Sequence, residues 1–153
     1  MANGGRRETQ PVRRDSGFRV AKRVLVFEGR PATLTPLVEI LEGDGYLVQI
    51  AMNWDVIPEQ LRQFVPHAVL VDLDVRRLLI DHSLARSEFA GFPFGRFPPI
   101  VGFSTRKLTA GPKLAALMAK PIIVEELLRV LATIVHDENV RRASATPNAS
   151  SSR

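Results

Sequence analysis

Short apolar runs alternate along this chain with stretches whose apolar residues recur at helical spacing. The runs are Val24–Phe27, Leu47–Ala51, Ala68–Val71, Ile100–Phe103 and Leu114–Ala119. Continuous runs of this length mark strands of a parallel sheet buried on both faces. Between the first two, Leu37, Ile40 and Leu41 share one helical face, with Thr35 placed as N-cap and Pro36 at the first helical position. Gly43-Asp44-Gly45 ends that helix, because glycine accepts the left-handed cap. Asp55 is placed to cap a second helix bearing Ile57, Leu61, Phe64 and Val65, and Pro66 stops it. A third helix is predicted from Leu78 to near Phe89. A closing helix runs from Val124 to near Asp137, with Leu127, Leu128, Leu131, Ile134 and Val135 on one stripe.

Two stretches depart from this rhythm. Residues 89–99 are dense in Phe, Gly and Pro, with Phe89, Phe92, Phe94 and Phe97 among them. They are expected to pack on the sheet edge, whereas an exposed cluster would be a partner surface. The segment 104–113 has room for little more than one helical turn, so the fourth helix is shortened. The whole alternation predicts a doubly wound α/β fold with five parallel strands in the flavodoxin-like order 2-1-3-4-5.

Composition adds bounds. The chain has 153 residues, 45% of them hydrophobic, enough for one domain with a real core. With no cysteine, disulfides and thiolate chemistry are excluded. No apolar run is long enough to span a bilayer, and the arginine-containing N-terminus lacks the apolar stretch of a secretory signal. A cytoplasmic protein is expected. The net charge of +5 is unevenly spread: residues 1–23 carry +5, residues 138–153 carry +2, and the middle carries −2. Residues 1–21 read as a disordered basic tail, 22–138 as the folded domain, and 139–153 as a disordered Ser-rich tail. The basic tail has neither interleaved aromatics nor an amphipathic period, so nucleic acid is not expected as a partner.

Four polar residues stand at the ends of apolar runs: Glu28, Asp72, Ser104 and Lys120. In open α/β sheets the carboxyl ends of the strands frame the ligand crevice. Two acids, a hydroxyl and a lysine there suit a divalent metal and a phosphoryl group. An ion pair between Asp72 and Lys120 is expected whether or not phosphate enters. His67, His82 and His136 have no metal-ligand spacing. No nucleophile elbow, dinucleotide fingerprint or Walker motif is present.

The segment PHAVLVDLD (66–74), and Lys120-Pro121 followed by EELL (125–128), resemble the receiver domain of bacterial two-component response regulators. The resemblance implies a non-enzymatic signalling domain in a phosphorelay. Asp72 would be the phosphoacceptor, with Ser104 and Lys120 contacting the phosphoryl group. Mg²⁺ would be held by Glu28, Asp72 and the backbone carbonyl of Asp74. The Lys120-Pro121 bond would be cis. Implied partners are a histidine kinase or phosphotransfer protein and an output protein, with a homodimer also compatible.

Departures from the family pattern point to an atypical or pseudo-receiver. Phe27 replaces the first acid of the usual pair, which predicts weaker Mg²⁺ binding. Leu117 replaces the aromatic switch residue, Val75-Arg76 replaces Met-Pro, and the segment between Ser104 and Lys120 is short. The alternative is a small flavodoxin-like domain that binds a nucleotide or other anion at the same strand ends.

Overall fold

Five strands form one parallel sheet: β1 (Lys22–Phe27), β2 (Tyr46–Ala51), β3 (Ala68–Asp72), β4 (Ile100–Ser104) and β5 (Ala116–Ala119). Their order is β2-β1-β3-β4-β5, as the sequence predicts. The computed structural model describes residues 21–27, 34–51, 53–74, 94–107 and 114–145. The predicted third helix, Phe89, Phe92, most of the shortened fourth-helix segment, and the tails 1–20 and 146–153 lie outside these residues.

Side chains on a strand point alternately to the two faces of the sheet. Register therefore decides which residues meet. Val26 pairs with Leu70, and Val101 with Leu70 in turn. Val24, Val26, Ala68, Leu70, Val101 and Phe103 face helices α1 (Pro36–Gly43) and α3 (Val124–Ser144). Leu25, Phe27, Val69 and Val71 face the opposite layer, with Ile57 and Leu61 of α2 (Ile57–Phe64). β3 and β4 are buried along their whole length, whereas β5, at the sheet edge, is mostly open.

One close approach depends on glycine. A Cβ at Gly102 of β4 would lie 2.5 Å from Cδ1 of Leu73. Leu73, the residue after Asp72, therefore packs against bare backbone.

Helix ends differ from the sequence expectation in three places. Asp55 does not cap α2. Its amide donates to Asn53 Oδ1 at 3.0 Å, and a 3-10 turn (Trp54–Val56) leads into the helix. α2 closes on Val65 in the left-handed region, with φ 49°. A β-branched residue there is strained. The turn is held from outside: Arg23 Nε donates to Phe64 O at 2.7 Å and Val65 O at 3.2 Å, while Arg142 Nη2 donates to Pro66 O at 2.6 Å. The third difference is α3, which runs on to Ser144 rather than stopping near Asp137. Residues 139–144 are thus helical, not part of a tail. Glu138 extends the buried stripe past Val135, with the half-buried Arg142 one turn on as its partner.

Candidate functional site

The apolar run of β3 ends in a carboxylate. Asp72 is 1% exposed, and an ion that deeply placed needs a partner of opposite charge. Lys120 supplies it from the end of β5, its Nζ donating to Asp72 Oδ1 at 3.0 Å and Oδ2 at 2.9 Å. The Lys120 amide donates to Ser104 O at 3.1 Å, which ties the ends of β4 and β5 together. The Lys120-Pro121 bond is cis, as the resemblance implies.

A second carboxylate completes the cluster. The Asp74 amide donates to Asp72 Oδ1 at 3.1 Å, so the chain turns tightly after β3. The Asp74 carboxylate then faces the end of β4. It accepts from Ser104 Oγ at 2.9 Å, from the Thr105 amide at 3.1 Å, from Thr105 Oγ1 at 3.1 Å, and from Lys120 Nζ at 3.1 Å. Burial alone would raise the Asp74 carboxyl, but the hydrogen bonds from Lys120, Ser104 and Thr105 outweigh it and hold it at about 2. Lys120 is desolvated too. Its bonds to Asp72 and Asp74 more than compensate, and they raise its affinity for the proton.

Asp72, Ser104 and Lys120 therefore converge at the carboxyl edge of one sheet. Asp74 joins them through its side chain. Glu28 follows β1 directly and lies outside the described residues. Phe27, which replaces an acid of the family pattern, does not stand in the crevice. Its ring is 1% exposed and packs with Leu25, Val71 and Ile57, on the face opposite Asp72. Leu117 is 45% exposed and borders a shallow depression with Ser104, Arg106 and Lys107.

Magnesium takes oxygen ligands in near-octahedral geometry. Among the described residues no three His, Asp or Glu side chains converge as a metal site. Both oxygens of Asp72 accept from Lys120, and both oxygens of Asp74 are engaged by Lys120, Ser104 or Thr105. Asp72 and Asp74 supply oxygen donors of the kind magnesium takes, both held by Lys120 in this arrangement, and Glu28, the other expected ligand, lies outside the described residues.

A second polar cluster, at the other end of the sheet, has no counterpart in the sequence expectations. Glu138 is 1% exposed and accepts from both Nη atoms of Arg96 at 3.1 Å and from Arg142 Nε at 2.7 Å. The Arg142 guanidinium lies 4.7 Å from the centre of the Phe94 ring. Beside it, His67 Nδ1 accepts from the Arg23 amide at 3.1 Å. Desolvation, helped by the charges of Arg142 and Arg23, lowers the His67 pKa to about 4. Of the four Phe-loop rings two are described: Phe94 is half-buried against the Arg142 guanidinium, and Phe97 packs on the Leu25 cluster.

No protein family and no curated protein matches the chain in sequence. Solved structures do match it in shape. A CheY-like response regulator receiver domain protein from Methanospirillum hungatei aligns with TM-score 0.60 and 19% identity, over 80% of this chain and 99% of that one. The receiver domain of a sensor histidine kinase from Pseudomonas aeruginosa, with a magnesium ion coordinated in its active site cleft, aligns with TM-score 0.61 and 21% identity, over 76% of this chain and 99% of that one. A Burkholderia pseudomallei response regulator with a phosphorylated aspartic acid and a calcium ion gives TM-score 0.56 and 23% identity, over 82% and 75%. The β2-β1-β3-β4-β5 sheet, with an aspartate ending β3 and a lysine ending β5, thus has the fold of the CheY-like receiver domains of response regulators.

Proposed function

We propose that this chain is a receiver-like signalling domain of a two-component phosphorelay, and that it binds its partners without requiring phosphorylation of Asp72. The observation that carries this reading is the convergence of Asp72, Ser104 and Lys120 at the carboxyl edge of a receiver-type sheet. Independence from phosphate is supported by Leu117. It has no ring with which to report on Ser104, and its side chain is half exposed. A modification shifts an equilibrium only through contacts that differ between two states. The short segment between β4 and β5 leaves few such contacts. A histidine kinase or phosphotransfer protein is the partner class this reading names, and soluble cytoplasmic signalling is its setting. A nucleotide site at the same edge is disfavoured, because Lys120 is already shared by two carboxylates.

The test is capture on immobilised protein, comparing wild type with Asp72→Asn. Retention of the same histidine kinase or phosphotransfer protein by both, within roughly ten-fold in apparent affinity, is the expected result. Loss of that partner with folded Asp72→Asn would restore a phosphorylation switch. Failure of either protein to retain any member of that class would overturn the phosphorelay role.

A further inference from the structure

The donors around the Asp74 carboxylate are unusual in number and origin. Two hydroxyls, one backbone amide and one ammonium, drawn from the ends of β4 and β5, converge on a single anionic group. Charge-assisted donors gathered in this way form an oxyanion cradle. On the receiver-like reading above, Ser104 and Lys120 are the groups that would contact a phosphoryl group on Asp72. In this chain Ser104 is bonded to Asp74, and Lys120 is shared between Asp74 and Asp72. The cradle adjoins the acceptor, since Lys120 bridges Asp72 and Asp74, and the Asp74 amide donates to Asp72 Oδ1.

We propose that the Asp74 carboxylate is a built-in anion filling the cradle of Ser104, Thr105 and Lys120, the place a phosphoryl group would take, and that the cradle binds inorganic phosphate once Asp74 is removed. A tethered carboxylate competes at the high effective concentration of an intramolecular ligand. Free phosphate therefore loses against it in the wild-type chain. Removing the carboxylate also lowers the negative charge beside Asp72, which otherwise repels an incoming anion. The cluster is not sealed, because the Asp74 side chain is 22% exposed and an external ion can reach it. In the wild-type chain the cradle is thus charge-compensated by the protein's own carboxylate, without a phosphodonor.

The test is a titration with inorganic phosphate at constant ionic strength, followed by amide NMR shifts of Thr105 and Arg106. Wild type should show no saturable shift. Asp74→Ala should bind phosphate tighter than wild type by roughly ten-fold or more, and Lys120→Ala in the same background should abolish the binding. Asp74→Asn, which keeps the shape and removes the charge, gives a second reading if the alanine variant is poorly folded. Equal binding by wild type and the Asp74 variants, or none by either variant, would overturn the proposal. Neither result would alter the outcome of the partner-capture experiment, which reads Asp72 and a protein ligand. Conversely, loss of the partner class there leaves this titration interpretable as anion chemistry alone.

Discussion

Mild acid should loosen this fold through His67. The imidazole is 1% exposed, and its Nδ1 accepts the Arg23 amide at 3.1 Å, so the folded chain holds it neutral. Burial is the main reason, and the guanidiniums of Arg142 and Arg23 add to it. A hydrogen bond with Asn139 and the charge of Glu138 pull the other way without prevailing. The folded pKa is about 4, against 6.5 for a free side chain. Between those values the unfolded chain binds more protons than the folded one. The stability contributed by neutral His67 is therefore complete above the unfolded value and is lost as pH falls toward the folded one. At about 1.4 kcal/mol per pH unit, the loss is roughly 3 kcal/mol. Urea unfolding of wild type and His67→Asn, followed by circular dichroism at several values between about pH 7.5 and about pH 4.5, measures it. The wild-type midpoint should fall across this range much more than that of the variant, which is less stable at neutral pH but flatter. Parallel curves would refute the reasoning, because the remaining carboxylates and histidines are common to both proteins.

Two further outcomes follow from packing and charge. Glu138→Ala leaves Arg96 and Arg142 without their shared carboxylate. It should lower stability by about 3 kcal/mol, or roughly 10 °C in Tm by thermal denaturation; a shift within experimental error would show that the cluster is solvent-compensated. Phe27→Asp would restore the acid pair of the family pattern, but it places a carboxylate in the α2-side core. It should cost about 3–5 kcal/mol or more and yield insoluble or unfolded protein, and a folded, metal-binding variant would show that the ring is not a core element.

The strand order was legible because β1, β3 and β4 are buried on both faces and read as unbroken apolar runs. Asp72, Ser104 and Lys120 were legible because each is the first polar residue at the end of such a run. The parity of β1 was also available in the sequence. Phe27 alternates with Val26 and so faces the other way, and the register then sets Val26 on the side of Leu70. The far end of α3 was not legible, since Glu138 and Arg142 are polar in any hydropathy pattern. Their burial depends on Arg96 and on the carbonyls of Val65 and Pro66, which only the tertiary fold brings near. Asp74 was legible as a residue near the acceptor but not as a side-chain ligand. The tight turn that aims its carboxylate at β4 is set by its amide bond to Asp72.

Leu73 joins the two acids in the chain, yet its own side chain is anchored on the bare backbone of Gly102. An uncharged contact one strand away thus lies between the two acids in the chain. A Cβ at position 102 would meet Cδ1 and Cγ of Leu73 at 2.5 and 2.9 Å, so the Leu73 side chain would have to shift. For anyone re-engineering this domain, position 102 is where the packing beside the acid pair can be altered without adding or removing an ionisable residue.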